Sequence, residues 1–353
     1  MGELPNVIDV HTHVVPLGVP FGQTDPRFPT LVVDGDTADV FVSGRLFRTI
    51  GRAAWDMARR REDQVRDGIS LQAISVMPEL FAYWAEPATG RAFCAALNGA
   101  LAEMVETDPH HFVALGTVPL QHLDSAIAAL QQVRDLGMCG VQVGSNVNGT
   151  STGSPEFLPF FQAAADLDLA VFVHAFHPPH WDCVADPAMS AAVNFPPEIG
   201  TCMAATIANG FVAQSPGLRL ASSHGGGTLL LHLPRMAAFW EADPVRASLA
   251  ATPYDAVRAM WFDCLTYDPT ALRSLIDLVG AERVMIGSDY PFFAKPPGYV
   301  LDELHMREQM AADQLDAVRV RSALGFLGMR RSVLDDDTFT TTTTTTTTPG
   351  ADR

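Results

Sequence analysis

Short runs of β-branched and other apolar residues alternate with longer stretches of helical periodicity along most of the chain. The runs Val7–Val10, Leu71–Met77, Phe112–Val118, Gly140–Val143, Leu169–Val173, Leu218–Ser222, Met260–Asp263 and Arg283–Ile286 are too short for helices. Most are apolar at successive positions, the pattern of strands covered on both faces in a parallel sheet. Between them, Ala92–Glu106, Ser125–Leu136, Pro155–Leu167 and Pro269–Val279 carry helix patterns. Ser154 before Pro155 and Asp268 before Pro269 each set a capping residue ahead of a proline at the first helical position. Eight strands alternating with helices predict an α/β fold, a (β/α)8 TIM barrel closed by right-handed crossovers. No GxGxxG follows the first strand, which argues against an open dinucleotide-binding sheet.

Two segments break the alternation. Residues 16–50 are rich in Pro, Gly, Asp and Thr, with strand-like pieces at Leu31–Val33 and Val40–Phe47. They predict a small antiparallel flap inserted after the first strand, beside the barrel mouth. Residues 335–353 hold nine consecutive threonines and end near Pro-Gly, a low-complexity tail with nothing to bury and so expected to be disordered. The barrel with its flap is therefore assigned to residues 1–334.

Composition narrows the class. With 23 Lys and Arg against 40 Asp and Glu, the 353-residue chain carries a formal net charge of −17. That balance argues against nucleic acid and anionic membrane as partners. It also means an anionic small-molecule substrate must be drawn in by local guanidinium groups. Five cysteines form no CxxC pair, which predicts a reduced, cytoplasmic setting. No basic segment followed by an apolar one opens the chain, and no apolar run approaches the ~18 residues of a membrane span.

The chemistry collects where strands end. In Asp9-Val10-His11-Thr12-His13, His11 and His13 lie two apart just past the first strand, so their side chains share one side. The fifth strand runs into His174, the sixth into Ser222-Ser223-His224-Gly225-Gly226-Gly227, and the eighth into Asp289. A lone histidine after an apolar strand is usually a hydrogen-bonded core residue. Four such groups at the carboxyl ends of strands in one barrel instead point into one mouth. Histidine nitrogen with one carboxylate suits zinc, with manganese or iron as alternatives, and leaves a coordination position open. His224 then stands as base or proton shuttle. Asp9 either orients a ligand histidine or caps the strand end. The glycine run either brings the backbone close to a ligand or is a plain loop.

The stretches IDVHTHVVP (8–16), GRLFRTI (44–50), AISVMP (73–78), FAYWAEP (81–87), GTVPLQ (116–121), GVQVGSNVNG (140–149), VFVH (171–174), SSHGGG (222–227) and IGSDYPF (286–292) resemble the amidohydrolase superfamily. Within it they resemble the branch that contains 2-amino-3-carboxymuconate-6-semialdehyde decarboxylase and the hydroxybenzoate decarboxylases, from Ile8 to about Leu327. The resemblance implies that His11, His13, His174 and Asp289 hold Zn2+, with Mn2+ as the alternative, and that His224 is the catalytic base, with Asp289 also moving a proton. It implies that Arg48 and Arg235 grip substrate carboxylates, with Phe47 and Phe292 beside the substrate. It further implies a homodimer in which Arg235 reaches the neighbouring active site. The activity implied is non-oxidative decarboxylation of a small unsaturated carboxylate. A hydrolase or hydratase using the same metal motif, and a non-catalytic metal-binding barrel, are the other readings. The chain departs from the pattern after His174: Phe176 and His177 stand where the family has Trp-Asp, and Ala191 where a pocket tryptophan is expected. Lost aromatic surface there predicts a wider or reshaped substrate end, with His177 and His180 either adding polar contacts or, the favoured reading, standing as surface residues.

Overall fold

A computed structural model describes residues 7–19, 25, 27–178, 183–247, 251–292, 295–307 and 309–330, with backbone only at 187 and 188. Thirteen strands follow in chain order among them: β1 (Ile8–Val14), β2 (Thr30–Asp34), β3 (Thr37–Val42), β4 (Arg45–Gly51), β5 (Leu71–Val76), β6 (Phe112–Gly116), β7 (Gly140–Gly144), β8 (Asn146–Val147), β9 (Thr150–Ser151), β10 (Ala170–His174), β11 (Arg219–Ser222), β12 (Trp261–Asp263) and β13 (Val284–Met285). Eight of them form one sheet in the order β1-β5-β6-β7-β10-β11-β12-β13, all neighbours parallel. Parallel bridges from Asp9 to Ile286 and from Thr12 to Tyr290 join the last strand back to the first, so the sheet is a barrel. Every strand expected from the apolar runs is present, shifted by a few residues at its ends.

The largest shift decides the site. β1 was expected to stop at Val10, yet it continues to Val14, so His11 and His13 lie within the strand rather than past it. Its register against β5 slips between Asp9 and Thr12, where three steps on β1 face two on β5. A bulge of this kind reverses the alternation of side chains. Ile8 and Val10 accordingly join the barrel floor, while His11 and His13 face the opposite mouth. The floor is an apolar layer of Ile8, Val10, Leu71, Leu115, Phe172 and Met285, plugged from below by the helix Ser322–Leu327. The larger core lies between the barrel and the helices around it.

The helices follow local chemistry, with corrections. Pro269–Val279 has the expected bounds, and Asp268 caps it by accepting from the Ala271 amide. Pro87–Glu106 begins five residues earlier than expected because Pro87 serves as its first residue. Pro155 opens a single 3-10 turn before the helix Leu158–Asp166, and Ser154 makes no side-chain cap. The flap is a three-stranded antiparallel sheet, β2-β3-β4. The expected single piece Val40–Phe47 is two strands, because Ser43 and Gly44, at φ 51° and 71°, turn the chain back in a two-residue hairpin. The threonine-rich tail lies outside the described residues.

Candidate metal centre

Each site residue sits at the carboxyl rim of the barrel. His11 and His13 come from β1, His174 ends β10, His224 follows β11, Asp263 ends β12 and Asp289 follows β13. His224 and Asp289 adopt left-handed backbone, at φ 54° and 58°. That conformation costs on the order of 1–2 kcal/mol for a residue with a side chain. It is held by hydrogen bonds from the His224 amide to Asp263 Oδ2 (2.9 Å) and from the Asp289 amide to the His11 carbonyl (2.8 Å).

The hydrogen bonds of the three histidines decide what faces the middle. His11 Nδ1 donates to Asp263 Oδ2 at 2.7 Å, His13 Nδ1 to the Val76 carbonyl at 3.3 Å, and His174 Nδ1 to the Ala175 carbonyl at 2.6 Å. Carbonyl and carboxylate oxygens only accept, so in each neutral ring the proton sits on Nδ1 and Nε2 is a bare lone pair. Those lone pairs converge. His11 Nε2 and His13 Nε2 are 3.2 Å apart, and Asp289 Oδ1 lies 3.6 and 3.1 Å from them. His174 Nε2 is buried with no hydrogen-bond partner. One ligand atom from each of His11, His13, His174 and Asp289 falls within 4.8 Å of the others. Buried acceptors gathered without a donor are repulsive unless a cation sits among them. Three imidazole nitrogens and one carboxylate are donors that suit a divalent transition metal, so the residues present fit such an ion.

The charges agree. Burial, together with its neighbours His11 and His13, keeps the His174 ring neutral, its pKa well below the ordinary value. Burial opposes ionisation of Asp289, but the adjoining His13 ring and the other surrounding histidines hold its carboxyl far below the usual range. His224, beside the ligands with ring centres 5.1 Å from His174 and 5.3 Å from His11, is pushed down to about 4 by burial and by His11. Its Nδ1 lies 2.8 Å from Ser223 Oγ. With Nδ1–H donating there, Nε2 is free to exchange a proton.

Asp263 went unnoticed in the sequence. Fully buried, it accepts from His11 Nδ1 and the His224 amide on Oδ2, and from the amides of Gly225 (2.8 Å) and Leu265 (3.1 Å) on Oδ1. Burial works against its charge, but the His11 hydrogen bond, the His11 and His224 rings and the Gly225 amide together outweigh it and hold its pKa below the ordinary value. It is the carboxylate that orients a ligand ring, and the signal was available: it is a charged residue ending an apolar barrel strand. Asp9, by contrast, accepts from Ser288 Oγ (2.5 Å) and the His11 amide (3.3 Å), so it fixes backbone rather than imidazole. The glycine run is a packing device: a Cβ on Gly227, at φ 55°, would lie 2.1 Å from the Pro196 carbonyl.

Around the centre, the Phe292 ring stacks near His13 at 5.8 Å, and the Arg48 guanidinium lies 4.7 Å from Phe292 and 5.2 Å from Phe47. The flap thus delivers Arg48 and Phe47 to the mouth. Arg235 is not brought there by its own chain: it is exposed on the helix Leu229–Ala242, over Phe239 at 4.9 Å. His177 is half-buried, 3.3 Å from Glu79 and with its ring 6.1 Å from Phe47. His180 lies outside the described residues. The expected loss of aromatic surface at Ala191 is offset one helical turn on by Phe195, whose ring is 5.9 Å from His224 and 6.3 Å from His174. The FAYWA and SNVNG stretches interlock through Tyr83: its hydroxyl accepts from the Gly144 amide (2.9 Å) and its carbonyl from Asn148 Nδ2 (2.8 Å).

The amidohydrolase family model matches residues 8–326, nearly the whole chain. The chain belongs to the amidohydrolase family. Among curated relatives, it is 29% identical over 331 residues to 2-amino-3-carboxymuconate-6-semialdehyde decarboxylase of Dictyostelium discoideum, covering 91% of each. This places it in the decarboxylase branch that its motifs resemble. Among solved structures, this amidohydrolase superposes on Metarhizium anisopliae IDCase in apo form with a TM-score of 0.79, 20% identity and coverage of 92% and 97% of the two chains. It also superposes on a dihydroxybenzoic acid decarboxylase from Polaromonas sp. JS666 with bound manganese, with a TM-score of 0.72, 17% identity and coverage of 93% and 99%. Among the described residues, no helix is long and apolar enough to cross a membrane.

Proposed function

We propose that this chain is a metal-dependent, non-oxidative decarboxylase of a small unsaturated or aromatic carboxylate, most like 2-amino-3-carboxymuconate-6-semialdehyde. The observation that carries it is the convergence of three bare Nε2 lone pairs and the Asp289 carboxylate beside a neutral, buried His224. His11, His13, His174 and Asp289 would hold the ion, zinc in our reading with manganese as the alternative. When bound, it supplies Lewis-acid stabilisation of negative charge developing on the substrate. Arg48 grips a substrate carboxylate, and a bidentate contact of that kind contributes about 1.5–3 kcal/mol. Phe47, Phe292 and Phe195 provide flat walls for a conjugated skeleton. His224 moves the proton at its Nε2. A proton is added to the carbon that bears the leaving carboxylate, the bond to that carboxylate breaks, and its electron pair returns to the conjugated system as CO2 departs. No oxidant or reductant is needed.

The proposal includes a cytoplasmic homodimer in which Arg235 enters the neighbouring pocket. Arg235 is exposed, and Leu231, Phe239 and Val245 expose apolar side chains on and beside the same helix. Mixing His224→Ala with Arg235→Ala chains tests it: hybrid dimers recover one intact site and therefore activity, whereas monomers recover none. The activity itself is tested by CO2 release from muconate semialdehydes and hydroxybenzoates by metal-loaded protein. Water addition or hydrolysis without CO2 would overturn the decarboxylase reading in favour of a hydrolase.

A further inference from the structure

The closure of the barrel leaves one backbone acceptor beside the metal centre without its sheet partner, and a buried cation takes that place. On β1 the His13 amide donates to the Tyr290 carbonyl at 2.7 Å, so the His13 carbonyl faces the same neighbouring segment. In a regular parallel ladder that carbonyl would accept from the Phe292 amide, two residues further on. The Phe292 amide instead turns back to the Asp289 carbonyl at 2.8 Å, in the turn that begins at the carboxylate ligand. Arg60 of the helix Met57–Asp67 fills the gap: its Nη1 and Nη2 both donate to the His13 carbonyl at 3.0 Å.

The guanidinium is itself held from three sides. Nε donates to Gln72 Oε1 of β5 (3.1 Å), and Nη1 donates also to the Ala53 carbonyl at the root of the flap (2.9 Å). Its Cζ lies 4.7 Å from the centre of the Tyr290 ring, whose hydroxyl donates to Asp63 Oδ2 of the same helix at 2.6 Å. Arg60 is fully buried, and these donors go to carbonyl and amide oxygens rather than to a carboxylate. Burial pulls its pKa down to about 10, so it stays charged at neutral pH. A cation kept in such a place is costly, and a fold that needed only volume there would be served by an apolar side chain.

We propose that Arg60 is a positioning residue of the metal centre, which by replacing the missing ladder bond fixes the separation of His13 and Asp289, the ligands that meet across the closure. This deepens the metal-centre reading and rests on the four groups sharing an ion. The lever is short. The carbonyl that Arg60 grips belongs to the same residue as one ligand ring, and Tyr290 is bonded directly to the other ligand. His13 Nε2 and Asp289 Oδ1 stand 3.1 Å apart, so a small slip between the two segments changes the bite offered to a metal. Lysine keeps the charge but lacks the planar fork that reaches two carbonyls and Gln72 at once.

The test is Co2+ titration of full-length, metal-free protein, with affinity read by chelator competition and ligand geometry by the visible absorption of the bound ion. Arg60→Lys should weaken affinity about tenfold and Arg60→Gln up to about a hundredfold, each with an altered spectrum. Phe326→Ala, at the barrel floor, is the reference for lost stability alone: its denaturant midpoint should fall while affinity and spectrum stay as in the parent. Where neither Arg60 variant folds, Gln72→Leu removes the acceptor that orients Nε and should weaken affinity in the same direction. Parent-like affinity and spectrum in the variants that fold, or changes no larger than those of Phe326→Ala, would overturn the positioning role. A parent protein that binds no Co2+ would overturn the metal-centre reading, and the role with it.

Discussion

At the scale of single residues, three histidines are shaped as candidate metal ligands by what holds their other nitrogen. His11 depends on Asp263, His13 on the Val76 carbonyl and His174 on the Ala175 carbonyl. Only the first is a side chain, so it can be removed without touching the backbone. Asp263→Asn should weaken metal affinity about 10–100-fold, read by competition with a chelator. His224 makes a different prediction: His224→Ala should keep its metal and lose roughly 10²–10⁴ in kcat. Near-parental turnover would remove the role given to it. The same residue gives the metal-free protein a pH signature. Its folded pKa is lowered from 6.5 to about 4 by burial and by His11. Between those values the unfolded chain takes up a proton that the folded chain refuses, so His224's contribution to stability is present above 6.5 and lost as pH falls toward 4. Relative to His224→Asn, the parent should lose up to about 3 kcal/mol over that window in denaturant titrations. A constant difference between the two would refute the burial argument.

At the scale of elements, β1 shows what an apolar run can and cannot announce. The run Val7–Val10 marks a strand, but its continuation through His11-Thr12-His13 is polar and reads in the sequence as the strand's end. The strand persists because its backbone partners do: the Val10 and His13 amides bond to the Ile286 and Tyr290 carbonyls across the closure. The flap was legible as turn-rich antiparallel sequence, but its hairpin at Ser43-Gly44 was missed because that turn carries no Asn-Gly or Asp-Gly signal. The helix Ser322–Leu327 closes the barrel floor, with Phe326 fully buried and 6.3 Å from Phe172. Phe326→Ala should therefore cost about 3–5 kcal/mol, measured as a lowered denaturant midpoint. A shift below 1 kcal/mol would mean that the floor collapses freely around the vacancy.

At the scale of the whole molecule, the candidate metal centre joins β1 and the segment after β13, neighbours across the barrel closure, to β10 on the far side of the barrel. An ion bound there cross-links the folded state and has no comparable site in the unfolded chain. Adding zinc or manganese to metal-free protein at a thousandfold excess over Kd should stabilise it by about 4 kcal/mol. For a chain of this size that is on the order of 10 °C in Tm, reversed by chelation. No change in Tm with metal or chelator would show that the four groups do not share an ion.

The amino-acid pattern by itself determined the barrel, because a parallel sheet buried on both faces forces short apolar runs at regular intervals, and burial is written in composition. It also placed His11, His13, His174, His224 and Asp289 at strand ends, since the carboxyl rim of a barrel is where polar residues interrupt such runs. Only the tertiary structure decided which nitrogen of each ring faces the centre, that Asp263 rather than Asp9 holds the His11 ring, and that His177 pairs with Glu79. Those choices depend on partners dozens to hundreds of residues away, as in the 252-residue separation of His11 and Asp263. Neither local propensity nor periodicity carries information about a hydrogen bond that exists only after the barrel has closed.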